Sequence, residues 1–451
     1  MTIKEAISKG TFVIDGAMGT AVQSIDLDVE RDYLGRENCT DILSKSRPEL
    51  VEQIHGSFLE VGVNAVETNT FGANKLVLSE FDDEAATWAY DLNVESAKIA
   101  RRACDQFEGD RYVLGSMGPG TKLISLGQTT WDEMFSSYEE QARGLIEGGV
   151  DAFLIETCQD ILQVKCAINA CLHALQSSGK TVNDIPIMVS ITIETTGTML
   201  VGSDVQTVLH ALLPFPILSL GLNCATGPEL MEPHVQWLTE HWDGFVSVVP
   251  NAGLPELVDG KAHFPLSPHA YAAQMKQFVH KYGVNIVGGC CGTTPEHLKS
   301  FIETVPELQR TERKIIDVAP SATSLYQPIE FKQDTSILIV AERTNANGSR
   351  KFKRLLEEEQ FDGLVEMAKE ELEGGAHVLD VCVDYVGRDG AEDMDEIIGR
   401  LAQHVDAPLM LDSTDAKAIE AGLKRAGGRC IVNSINLEDG ERRLDEVCPL
   451  L

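Results

Sequence analysis

The sequence predicts an α/β chain in which a complete (β/α)8 barrel is followed by part of a second (β/α) barrel. Three observations carry this. Eight short, β-branched apolar runs recur between residue 1 and about residue 300, amphipathic stretches separate them, and the same pattern restarts after residue 335 with four runs. Eight strand-then-helix units match a closed barrel by count, although a doubly wound open sheet has the same local pattern.

The eight runs are TFVIDGAMG, VNAVETNTF, RYVLGSMGP, VDAFLIETC, PIMVSITIE, ILSLGLNCA, FVSVVPNAG and VNIVGGCCG. Between them lie helical patterns such as PELVEQIHGSFLEVG and WDEMFSSYEEQARGLIEGG, the second ending on glycines suited to a helix C-cap. Each run ends in polar or special residues: Asp15, Glu67 with Asn69, Ser116, Glu156, Glu194, Asn223 with Cys224, Asn251, and Cys290 with Cys291. In a barrel these strand ends converge on one face, where catalytic groups are carried.

From Val305 to Thr335 the apolar period lapses into a stretch with three prolines and several charges. It is expected to be a linker between a first domain over 1–304 and a second over 336–451. The second domain supplies ILIVAERTN, AHVLDVCVDY, APLMLDST and RCIVNSINL as strands before the chain ends at CPLL. Four units make half a barrel and leave two open sheet edges, so this domain reads as incomplete.

Composition narrows the function classes. Of 451 residues, 43% are hydrophobic and 24% charged, which fits a folded globular protein and not a disordered one. Seventy acids against 37 bases give a formal charge of -33, which repels nucleic-acid phosphates and anionic lipid. No stretch approaches eighteen uninterrupted apolar residues, and MTIKEAISKGTFVID is not built as a signal peptide, so a cytoplasmic protein is expected. Eleven cysteines then read as reduced thiols, not a disulfide framework.

Cys224 ends the sixth run, and Cys290 with Cys291 ends the eighth. Strands six and eight lie close at their carboxyl ends, so the three thiols can meet. Three ligands leave a fourth position open, as in a catalytic zinc site, and soft thiolates select zinc over magnesium or calcium. An isolated vicinal pair beside glycines reads more readily as small buried core residues.

The wider context is more specific. DGAMGT, RPELVEQIHGSFLEVGVNAVETNTFGAN, GSMGPGTK, LIETCQD, GLNCATGP, PNAGLPEL and GGCCGTTPEH, spread over residues 10 to 300, resemble the homocysteine-binding domain of the cobalamin-dependent methionine synthases and their homocysteine S-methyltransferase relatives. The resemblance implies that Cys224, Cys290 and Cys291 bind zinc and that homocysteine sulfur takes the open position. It also implies that Asp15 and Glu156 clamp the substrate amino group; taken alone, either carboxylate could cap a helix N-terminus.

Ala17 and Met18, in the Gly16–Gly19 turn, offer backbone donors for the substrate carboxylate. Asn251 is a candidate ligand to the vacant metal, and Asn223 a candidate contact to the amino acid. Glu67 and Asn69 are as well suited to backbone groups at the strand ends. No histidine falls in an HExxH pair, and no DxHxxG motif for cobalamin is present, so a corrinoid must come from another domain or chain.

AERTNANGSRKF, HVLDVCVDY, LMLDST and CIVNSINLEDG resemble the opening half of the pterin-binding (folate-binding) barrel that follows the homocysteine barrel in methionine synthases. Asp and Asn match the donors and acceptors of a pterin, and Glu342, Asn345, Asp412 and Asn433 are the candidate folate ligands. The expected activity is transfer of a methyl group to the thiolate of homocysteine, giving methionine, with methylcobalamin as donor and 5-methyltetrahydrofolate as its source. The alternatives are a stand-alone methyltransferase using a methylsulfonium donor, which needs no pterin domain, and a non-catalytic homocysteine-binding fragment.

Overall fold

The computed structural model describes residues 1–258, 261–437 and 440–451. Eight parallel strands form the first sheet: β1 (Phe12–Val13), β2 (Ala65–Glu67), β3 (Tyr112–Met117), β4 (Ala152–Cys158), β5 (Ile187–Ile191), β6 (Ile217–Asn223), β7 (Phe245–Val249) and β8 (Ile286–Val287). Their order is β1-β8-β7-β6-β5-β4-β3-β2. A bridge between Ile14 and Ala65 joins the two ends, so the sheet closes as the sequence predicts.

Two apolar shells follow from the period-2 strand pattern. Ile14, Ala65, Leu114, Leu154, Met188 and Ile286 pack in one cluster, and Val13, Val66, Val113, Phe153, Val189 and Leu222 belong to the larger cluster shared with the helices. The helices start and stop where local chemistry directs. Thr130 and Glu133 form a reciprocal capping box ahead of helix Trp131–Gly148, and Gly149 ends it at φ 88°. Helix Ala89–Cys104 lies so close that a Cβ on Gly144 would stand 2.7 Å from the Tyr90 carbonyl oxygen.

A four-stranded parallel sheet follows, in the order Val340–Ala341, Val378–Val381, Leu409–Asp412, Ile431–Asn433, with its own core around Phe352, Leu379, Ile397 and Leu411. All four strands fall within the expected runs.

Two elements depart from expectation. After β7 the chain carries two short antiparallel strands, Glu256–Val258 and Lys261–His263. The stretch expected as a linker holds a hairpin, Ser321–Thr323 with Pro328–Glu330. That hairpin is wedged between the two sheets' units: Leu325 belongs to the barrel core, and the Thr323 N–H donates to the Arg429 carbonyl at 3.0 Å while the Arg429 N–H donates to the Thr323 hydroxyl at 2.7 Å. Half-buried Lys165 donates from the barrel to the carbonyls of Ala426, Gly427 and Gly428 at 3.1, 3.3 and 2.8 Å. The segment therefore joins packed units and is not a bare tether. Among the described residues no helix is long and apolar enough to cross a membrane.

Candidate metal centre

Cys224 follows β6, and Cys290 with Cys291 follows β8. The loop after β7, which runs between them, fixes both. The N–H of Cys224 donates to the Val249 carbonyl at 3.2 Å and that of Cys290 to the Pro250 carbonyl at 2.9 Å, while Asn251 and Ala252 donate back to Thr226 (3.1 Å) and Cys291 (2.9 Å). Cys224 and Ala225 take φ values of 61° and 50°, the left-handed region that non-glycine residues rarely occupy outside constrained sites.

The three sulfurs lie within 4.8 Å of one another, and Cys291 is 4.0 Å from both Cys224 and Cys290. Tetrahedral zinc with Zn–S bonds of about 2.3 Å places its sulfurs ~3.8 Å apart, so the trio fits that ion. The thiols of Cys224 and Cys290, placed to donate to Cys291, hold its thiol well below the usual range. Asn251 is buried, and its Oδ1 has no protein partner among the described residues, leaving an acceptor free beside the cysteines.

The thiols open onto a cavity of about 240 Å3 lined also by Ala17, Met18, Glu67, Phe71, Ser116 and Glu156. Ala17 and Met18 come from the turn that starts helix Met18–Gln23, and Gly16 is forced there because a Cβ would stand 2.8 Å from the Phe58 ring. Burial pushes the Glu156 carboxyl up to about 7, against the pull of its hydrogen bond from the Ser116 hydroxyl. Burial likewise raises Glu67, with further repulsion from Glu156 and Asp15.

Two of the expected substrate contacts are placed differently. Asp15 is not among the lining residues: its carboxylate accepts the Glu67 N–H at 3.1 and 3.2 Å, and Glu67 takes the position facing the cavity. Asn223 is also turned away. Its Oδ1 accepts from the Thr157 N–H (2.9 Å) and the Ser190 hydroxyl (2.8 Å), and its Nδ2 donates to Thr157 Oγ1 (2.7 Å), holding Thr157 at φ 56°. This fills both acceptor positions of the amide and one of its two donor positions within the protein. Asn69 lines the cavity, but its amide reaches the Thr40 carbonyl at 2.8 Å.

At the carboxyl ends of the second sheet, Asn345 donates to Asp380 Oδ2 (2.8 Å) and Asp412 Oδ2 (3.0 Å). Asn433 pairs with Asp412 in register on the adjacent strand, and Glu342 is exposed. Asp380, a strand-end residue left out of the expected ligand set, is central. Its Oδ1 is buried without a protein partner among the described residues, and burial raises its carboxyl, with Asp412 and Glu342 repelling.

Comparison with known proteins adds the following. The model of the homocysteine S-methyltransferase family matches residues 12–305, and that of the pterin binding enzymes matches residues 341–449. The methionine synthase of Mycobacterium tuberculosis is 45% identical over 440 residues, and that of Mycobacterium leprae 44% over 445. Each alignment takes in 97% of this chain but 36% of the relative, so the chain spans about a third of their length. Among solved structures, the metallated and oxidized forms of the Escherichia coli homocysteine methyltransferase MmuM align with TM-scores of 0.51 and 0.50 at 19% identity. They cover 66% and 65% of this chain and 97% and 95% of their own, a likeness of fold.

Proposed function

The chain belongs to the homocysteine S-methyltransferase family, and on that premise we propose that it methylates the thiolate of homocysteine to give methionine. The observation that supports this most is the convergence of the Cys224, Cys290 and Cys291 sulfurs on a cavity that carries two carboxyl groups and a helix start. Cys224, Cys290 and Cys291 would hold zinc. Bound there, a zinc ion supplies an open fourth position at which a thiol is held as its thiolate.

The chain's own groups orient the rest of the substrate. Glu67 and Glu156, buried and raised in the free site, gain a partner when an ammonium enters between them, because a charge-assisted hydrogen bond favours their ionised form. Asp15 acts beneath them by fixing the Glu67 backbone. The backbone donors of Ala17 and Met18 suit the substrate carboxylate, and Phe71 with Val249 narrows the access of water. Asn251 is assigned as the group that faces the metal when substrate is absent.

Residues 1–304 are assigned to this reaction and residues 336–451 to a folate, with 305–335 as the packed connection. The pterin-family match and the Asn345–Asp380–Asp412 cluster support 5-methyltetrahydrofolate as the methyl source and a separately borne methylcobalamin as the carrier. The test is methionine formation from homocysteine and free methylcobalamin. Turnover lost in Cys290→Ser supports the reading; tight homocysteine binding with no transfer at any donor concentration contradicts it.

A further inference from the structure

Successive side chains of a regular strand point to opposite faces of its sheet. At the end of β4, Glu156 and Thr157 are successive, and both line the thiol cavity. A bulge is the cause. The pairing of β4 with β5 runs from Ile155 opposite Val189 to Cys158 opposite Ile191, one residue more on β4 than on β5. Within the bulge Thr157 takes φ 56°, in the left-handed region that suits glycine or asparagine and is unfavourable for a β-branched residue.

The bulge is fixed on two sides. The Thr192 N–H donates to the Cys158 carbonyl at 2.9 Å, which keeps the β4–β5 register beyond it. From β6, Asn223 accepts the Thr157 N–H at 2.9 Å and donates to Thr157 Oγ1 at 2.7 Å. None of these bonds uses the Thr157 hydroxyl proton. A hydroxyl that accepts from Asn223 still has one donor, and among the described residues that donor meets no protein acceptor. The side chain is half-buried where it borders the cavity. A backbone conformation costly for threonine thus presents an unspent donor to the space a substrate would fill.

The acceptor follows from the order of the strands. Ala17 and Met18, whose backbone donors suit a carboxylate, come from the turn after β1, and Glu67 comes from β2. Thr157 is tied to Asn223, the residue before Cys224, so its hydroxyl lies on the thiol side of the cavity. A thiol substrate that takes the open position beside Cys224, Cys290 and Cys291 brings a thiolate to that side, and a thiolate accepts hydrogen bonds.

We propose that Thr157 is a substrate-contacting residue whose hydroxyl donates a hydrogen bond to the sulfur of the bound thiol, fixing its orientation and moderating its charge. The proposal rests on the homocysteine reading above. Asn223 occupies only a lone pair of the hydroxyl, so the donor persists without it.

Homocysteine is titrated into the 451-residue chain loaded with cobalt(II) in place of zinc, and into Thr157→Val, Thr157→Ala and Thr157→Ser, while the thiolate-to-cobalt charge-transfer band is recorded. Valine keeps the branched shape without the donor, alanine removes shape and donor together, and serine keeps the donor. Thr157→Val and Thr157→Ala should bind homocysteine about tenfold more weakly, the range for a lost hydrogen bond to a charged group. Their band should move to longer wavelength, because a thiolate without its hydrogen bond gives up charge to the metal more easily. Thr157→Ser should match the parent in both respects. Unchanged affinity in the valine and alanine variants overturns the proposal. So does weaker binding with an unmoved band, which places the hydroxyl on the substrate carboxylate or in the fold, and so does a shifted band in Thr157→Ser. Each of these leaves the homocysteine reading intact, whereas a parent chain that binds no homocysteine overturns that reading and the proposal with it.

Discussion

The sulfur of Cys291 lies 4.0 Å from that of Cys224 although 67 residues separate them, and the loop after β7 is hydrogen-bonded to both of their loops. The cluster of three thiols is thus a property of three adjacent strand ends and not of any single motif.

Glu156→Gln keeps an acceptor for the Ser116 hydroxyl but removes the charge that an ammonium needs. Homocysteine should bind about 10- to 100-fold more weakly, the range for a lost hydrogen bond to a charged group, with zinc content unchanged. Calorimetric titration checks this, and unaltered affinity would remove Glu156 from the site.

Asn223→Ala leaves the Thr157 N–H and the Ser190 hydroxyl without their acceptor. A loss of about 2–3 kcal/mol in urea unfolding is expected from two unpaired buried donors. Because Asn223 acts only through Thr157 and the chain leading to Cys224, zinc-saturated variant should bind homocysteine with an affinity close to that of the parent.

Asp41 sets a pH dependence. Its carboxylate accepts the Gly72 N–H at 2.9 Å beneath the Phe71 wall of the cavity, and burial pushes it from 3.8 up to about 6. The folded state therefore holds the proton more tightly than the unfolded state. The resulting stability is fully present below pH 3.8 and lost as pH rises through about 6. Asp41→Asn should be more stable than the parent at pH 8 by on the order of 2 kcal/mol, with the difference shrinking toward pH 4. Thermal unfolding of both proteins across that range is the measurement.

Lys165→Met removes the ammonium that holds three carbonyls of the second unit. About 2–3 kcal/mol of docking should be lost, and unfolding should separate into two transitions followed by probes in each unit. A single unshifted transition would show that the hairpin at Ser321–Glu330 suffices.

All twelve strands of the two parallel sheets were legible in the sequence, because β-branched runs ending in polar residues recur with helical stretches between them. The strands Glu256–Val258 and Lys261–His263 were not: they are three residues long and expose Leu257. SATSLYQPIE reads as a loop, and its hairpin is held by tertiary contacts, among them Ser321 with His210 at 2.5 Å. Strand-end position makes the cysteines, Glu156 and Asn345 candidates, yet it cannot tell which way a polar side chain turns. Hence Asp15 and Asn223, expected as ligand contacts, are found hydrogen-bonded within the protein, while Glu67 lines the cavity and Asp380, outside the expected folate set, accepts from Asn345.

Metal analysis of the reduced, purified protein tests the central claim most directly. About one zinc per chain is predicted, lost in Cys224→Ser and in Cys291→Ser. A full complement of zinc retained in both variants would contradict the account.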